Sequence, residues 1–272
     1  MSTTSGTAPG AGARGTDPAA ATEAAAAALP APTVRVLGDL AAAAHLAAQD
    51  TAEHLARAVS ARGVAHLALT GGSAGQALAD LLAQVLPRRL GAGLGAVHVW
   101  LGDERFVPAG DPERNDLLAA GLLDAGLGAG NLHAVRGPER VADVEASARA
   151  LEADLDRWLG PPGTGRLDVV HLGLGPDAHV CSLFPGHRAA LAQGTRAVAV
   201  RDSPKPPGQR VSLTFTALQA ARCVMVVAGG AAKARAAALG LGRPDVRRAP
   251  ASCGRGRQTR WYLDEAAASL FR

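Results

Sequence analysis

The chain has 272 residues, 48% of them hydrophobic and 19% charged, which fits a globular fold with a sizeable core and excludes a fibrous or wholly disordered chain. Uncharged stretches such as 67–79 and 223–232 stop short of the roughly 18–20 apolar residues of a membrane span, and three cysteines without CxxC spacing exclude a disulfide framework or a cysteine-built zinc site. The net charge of +4 rests on 26 arginines and only two lysines, Lys205 and Lys233, in an alanine- and glycine-rich chain, a compositional bias rather than a nucleic-acid footprint; aromatics at 3% offer no base-stacking surface.

Residues 1–32 are Ala, Gly, Thr and Pro with little else, and no large apolar side chain stands between Met1 and Leu29. Such a segment buries too little surface to offset its ordering entropy, so it reads as a disordered tail, and it lacks the cationic start and apolar run of a secretory signal. From Val34 onward short apolar runs alternate with longer alanine-rich ones. The pattern predicts strands at 66–70, 97–102, 167–174, 197–200, 211–215, 223–228 and 260–263. It predicts helices at 39–62, 75–85, 115–120, 141–159, 217–220 and 231–239. Several strands are apolar throughout, as in a parallel sheet covered on both faces. The expectation is a single α/β domain over 33–272: a doubly wound, Rossmann-like, mainly parallel sheet with helices on both faces. Ligands of such folds bind at the carboxyl ends of the strands, near a switch in strand order.

Three segments fall at such ends. The first, Leu69-Thr70-Gly71-Gly72-Ser73-Ala74-Gly75, turns a strand into a helix N-terminus. Free N–H groups and the helix dipole suit a phosphate there, although a plain tight turn would look the same. The second, Gly102-Asp103-Glu104-Arg105, puts three charges directly after a buried strand. Its arginine suits a phosphate or a polarised carbonyl, with a neighbouring carboxylate fixing the rotamer. The third, Gly173-Leu174-Gly175-Pro176-Asp177-Ala178-His179, places an imidazole at the sheet edge, two residues after a carboxylate. Histidine, with an ordinary pKa of about 6.5, is the natural general base for activating water; spacing alone leaves Asp177 either orienting it or touching substrate. Further ligands at metal-binding spacing are missing, so no metal and no cofactor are expected.

Together these segments resemble the 6-phosphogluconolactonase family, within the wider group that includes glucosamine-6-phosphate deaminases. Asn115, Pro204-Lys205-Pro206-Pro207, Arg210-Val211-Ser212-Leu213-Thr214, Gly229-Gly230-Ala231-Ala232-Lys233 and Trp261-Tyr262-Leu263-Asp264 continue the resemblance in family order. Ser182-Leu183-Phe184-Pro185 after His179 is similar to the lactonase variant; the deaminases carry an Asn-Glu-containing sequence there. The resemblance implies a cytoplasmic, metal-free hydrolysis of 6-phospho-D-glucono-1,5-lactone in the oxidative pentose phosphate pathway. His179, Asp177 and Arg105 would be catalytic, with backbone N–H groups near 173–175 also available to the oxyanion. Gly71, Gly72, Ser73, Asp103, Arg210 and Lys233 would bind substrate. The expected partner is the phosphosugar lactone alone, without nucleic acid or membrane, on a monomer or weak dimer. The alternatives are an amino-sugar-phosphate deaminase or isomerase, and a non-catalytic sugar-phosphate-binding module. Four residues depart from the family pattern: Ala74-Gly75 replace Thr-Pro, Arg114 stands for a serine, and Ala178 stands for a glycine.

Overall fold

A computed structural model describes residues 17–271. Six strands form one parallel sheet: β1 (Thr33–Leu37), β2 (Ala65–Leu69), β3 (Val97–Leu101), β5 (Val169–Leu172), β8 (Cys223–Ala228) and β9 (Gln258–Asp264), in the spatial order β1-β9-β8-β5-β2-β3. Along β8, Val224 and Val226 enter one apolar cluster while Cys223, Met225 and Val227 enter the other. Successive side chains of a strand point to opposite faces, so this split shows a sheet buried on both sides. Helices α2 (Leu40–Arg62) and α3 (Gly72–Leu90) cover one face. Ala43, Ala44, Ala47, Ala48 and Ala52 let α2 lie close. The other cluster gathers α5 (Val144–Leu159), α6 (Phe215–Ala220), α7 (Ala234–Leu241) and α1 (Pro18–Ala27); α4 (Ala120–Asp124) sits beside α3.

The doubly wound expectation holds, with three differences. Two of the expected strands leave the parallel sheet. β7 (Arg210–Leu213) pairs antiparallel with β6 (Ala197–Val200) on one side and with β4 (Asp103–Arg105) on the other, in a separate three-stranded sheet. The triple charge of β4 hid that strand, since charged residues carry no apolar run. The edge strand β1 was also hidden, because only one of its sides meets a neighbour and its side chains are half-buried or exposed.

The third difference corrects the disordered tail. Residues 1–16 lie outside the described residues, but Pro18–Ala27 is a helix capped by Asp17, whose carboxylate accepts from the Ala19 N–H at 3.1 Å. Ala19, Thr22 and Ala26 face the protein and are buried. Alanine burial releases little free energy per residue, but it also freezes no side-chain rotamers, and Ala is the best helix former. A low count of large apolar residues therefore did not decide disorder here.

The chain passes from β2 outward to β3, then returns to place β5 on the other side of β2. That reversal is the switch point of the sheet, and the loops after β2 and β5 flank it.

Candidate active site

At the carboxyl ends of β2, β5 and β8 lies a cleft of about 280 Å³. Its lining includes Gly71, Gly72, Ser73, Asp103, Arg105, His179, Arg210 and Lys233, so eight of the nine candidate site residues meet there; the ninth, Asp177, joins through its bond to His179. His179 Nδ1 stands 2.6 Å from Asp177 Oδ1. Burial opposes the charge of Asp177, yet the hydrogen bond and charge of His179, with the charge of Lys205, hold its carboxyl well below the usual carboxylate range. An ionised carboxylate only accepts, so Nδ1 of His179 carries the proton between them. A Cβ at Gly175 would collide with Nδ1 of His179, so only glycine lets the turn fold this closely over the pair.

The loop that carries the pair closes on itself. Gly175 N–H donates to the His179 carbonyl at 3.0 Å, and Ala178 N–H donates to the Gly175 carbonyl at 2.9 Å. Gly173 N–H donates to the Thr70 hydroxyl at 2.9 Å. The Gly173 and Gly175 amides expected near an oxyanion are therefore already engaged. Ala178 has φ 63° and is fully buried. The backbone does take the left-handed conformation that a glycine would enter freely, and alanine holds it at a cost of about 1–2 kcal/mol.

Opposite this loop, α3 begins at Gly72 with Gly71 at its N-cap, and no side chain satisfies the first-turn amides. These donors and the helix dipole face the cleft. Gly75 explains one departure: a Cβ there would collide with the Thr70 carbonyl oxygen in this tight start. Lys233 follows the Gly229-Gly230 turn; its backbone N–H donates to the Gly230 carbonyl at 2.9 Å, and its ammonium has no hydrogen bond or ion pair among the described residues. Burial and then the nearby charge of Lys205 lower its ammonium pKa, while Asp177 opposes them. Lys205, which the sequence marked only as one of two lysines in a signature segment, reaches the His179–Asp177 pair. Its Nζ lies 3.4 Å from Asp177 Oδ1 and 3.3 Å from His179 Nδ1.

Arg210 is tied into the cleft wall. Its Nε and Nη2 donate to the carbonyls of Pro207, Lys205 and Pro206 at 2.9–3.1 Å, which fixes the loop that presents Lys205. Its Nη1 remains, 3.9 Å from Asp103 Oδ2. Asp103 in turn accepts from the Ser182 hydroxyl at 2.5 Å. Asp103 thus acts on the cleft by fixing neighbours. Arg105 donates through Nη1 to the Glu113 carbonyl, and its Nε has no partner among the described residues. Glu104, fully buried, accepts from the amides of Arg105, Asn115 and Asp116 at 2.7–2.9 Å. Burial pushes its carboxyl up to about 7. Arg114, the second departure, lies outside the cleft: it bonds Asp116 and the carbonyls of Val107 and Val135, and stands 3.7 Å from Glu104. Cys181 is a buried thiol pushed up by burial and by Asp103, so it lacks the thiolate a nucleophile needs.

Residues 38–262 match the family model described as glucosamine-6-phosphate isomerases/6-phosphogluconolactonase. The chain belongs to this family. It is 42% identical to the 6-phosphogluconolactonase of Streptomyces coelicolor over 220 residues, which is 78% of this chain and 84% of that one. It is 40% identical to the 6-phosphogluconolactonase of Mycobacterium tuberculosis over 219 residues, 78% of this chain and 87% of that one. Among solved structures, a 6-phosphogluconolactonase from Trypanosoma cruzi superposes with a TM-score of 0.77 at 27% identity, over 88% of this chain and 97% of that one. In this family member, helix α1 stands before the matched region, while every residue of the cleft lies within it.

Proposed function

We propose that this chain hydrolyses 6-phospho-D-glucono-1,5-lactone to 6-phosphogluconate. The observation that carries the reading is the 2.6 Å His179–Asp177 pair on the wall of a cleft that also holds Lys233 and the uncapped start of α3. A base and an anion seat within one small cleft match a substrate with an electrophilic carbonyl and a phosphate.

His179 Nε2 takes a proton from water as the water oxygen attacks the lactone carbonyl carbon. Asp177 keeps the proton on Nδ1 and stabilises the imidazolium that forms. The negative charge growing on the carbonyl oxygen falls to Arg105, which lines the cleft; the Gly173 and Gly175 amides bond within the protein. Collapse of the tetrahedral species breaks the bond to the ring oxygen, which takes the proton back from His179. One water is consumed and the carboxylic acid product ionises. The phosphate sits on the first-turn amides of α3, near Gly72 and Ser73, with Lys233 beside it. A lactone is already reactive, so about 10²–10⁴-fold from the base plus positioning suffices. Buried, unpaired Cys181, Cys223 and Cys253 suit the reducing cytoplasm in which such a substrate is made.

The test is a coupled assay on freshly generated lactone, corrected for spontaneous hydrolysis, with ammonia release from glucosamine 6-phosphate measured alongside. Turnover of the lactone without ammonia is expected. Ammonia release, or binding of phosphosugars without turnover of either compound, would overturn the reading.

A further inference from the structure

Helix α1 does more than cover the core. Its Glu23 Oε1 accepts from the buried Val246 amide at 2.9 Å. Thr22 binds two neighbours: its hydroxyl accepts from Gln193 Nε2 at 2.5 Å, and its carbonyl accepts from Gln219 Nε2 at 3.1 Å. The same Gln219 nitrogen reaches the Cys253 carbonyl at 3.3 Å, so α1 grips both ends of the segment 245–253.

That segment is internally stiff. Asp245 N–H donates to Ser252 Oγ at 2.8 Å, Ser252 Oγ donates to the Ala249 carbonyl at 2.7 Å, and Ala249 N–H donates to the Asp245 carbonyl at 2.8 Å. Its inner side donates the Ala251 N–H to the Ala178 carbonyl at 2.9 Å. Ala178 is the strained residue at φ 63°, and the next residue is His179. Ala19, Ala26, Ala178, Ala249 and Ala251 share one apolar cluster. A non-glycine residue keeps a left-handed conformation only where its surroundings over-determine it. Here the surroundings are the segment 245–253, and its outer wall is α1.

We propose that α1 is a strap that clamps 245–253 against the Ala178 carbonyl and thereby keeps His179 in its working position; this rests on the lactonase reading above. Glu23 is then a positioning residue, acting through Val246, Ala251 and Ala178. Without its carboxylate the buried Val246 amide has no acceptor, the segment loosens, and the alanine turn relaxes toward unstrained conformations that misdirect the imidazole.

Glu23→Ala should lower kcat about five- to tenfold and leave KM within about twofold, because the anion seat is untouched. Glu23→Gln, whose amide oxygen still accepts from Val246, should restore most of kcat. In the Ala178→Gly background the Glu23→Ala loss should shrink to about twofold or less, since glycine needs no clamp at φ > 0. An equal loss in both backgrounds, a loss confined to KM, or unchanged kcat would overturn the strap. Amide hydrogen exchange reads the same clamp without activity: Glu23→Ala should speed exchange at Ala251 at least about tenfold while Val226 in the sheet is unchanged. Unchanged exchange at Ala251 overturns the strap. A wild-type chain with no lactonase turnover overturns the function alone, and leaves the exchange result to judge the clamp.

Discussion

The turns after β2 and β5 look alike as sequences, glycine-rich exits from buried strands, yet they present opposite chemistry to the same cleft. The turn at 70–75 leaves its backbone open: α3 starts without a side-chain cap, so it offers the cleft amide donors. The turn at 173–179 engages the amides of Gly173, Gly175 and Ala178 in bonds to Thr70, His179 and Gly175, so it offers the cleft the His179 side chain. In the proposed reaction the first turn seats the anion and the second presents the imidazole. The Thr70 hydroxyl, accepting from Gly173, ties the two together.

This contrast says that side-chain deletions should be severe in the second turn and mild in the first. His179→Ala should lower kcat by about 10²–10⁴-fold with little change in stability, measured by steady-state kinetics and thermal melting. A variant within a few-fold of wild type would remove His179 from the chemistry. The anion side gains its one strong side-chain term from Lys233, which no partner in the described protein satisfies. Lys233→Ala should cost about 2–4 kcal/mol in kcat/KM on the phosphorylated lactone, and much less on a lactone lacking phosphate. Equal losses on both substrates would move Lys233 to the carbonyl end.

Within the second turn, the effects at Ala178 nearly cancel. Ala178→Gly relieves about 1–2 kcal/mol of left-handed strain. It also removes a buried methyl, about 0.8 kcal/mol, and loosens the unfolded chain by about 0.4–1 kcal/mol. The melting temperature should therefore hardly move, and kcat should rise by no more than about tenfold. A hundredfold loss would mean that the methyl itself shapes the site. The smallest effect belongs to the first turn: Ser73→Ala should change kcat/KM by about threefold or less, since the amides remain. A larger loss there would show that the hydroxyl, and not the backbone, holds the phosphate.

The elements that the sequence made legible are those in which burial is uniform or a motif is local. β8 reads as a strand because all six of its residues are buried apolar ones, and α2 starts where Asp39 caps it and stops at Gly63. His179 and Asp177 were legible as candidates because both stand in one glycine-rich turn, but their spacing left Asp177 either orienting the imidazole or touching substrate, and the 2.6 Å contact came from the structure. Arg210 and Lys233, from distant segments, were legible only through the resemblance. The contact of Lys205 with the pair was not: Lys205 lies 26 residues beyond His179, on a loop whose carbonyls Arg210 holds.

By itself, the sequence determined the alternation of strands and helices, the two glycine-rich exits and the family signature, because each is written within a few residues and rests on local backbone preference. The tertiary structure alone decided three other things. It drew β6 and β7 into a second sheet with the charged β4, where pairing outweighs composition. It engaged the amides of Gly173 and Gly175 within the loop itself. It also ordered residues 18–27, because a helix with a face of alanine and threonine has no stability of its own until Gln193, Gln219 and Val246 meet it. Each of these depends on groups brought from far along the chain, and no window of neighbouring residues contains them.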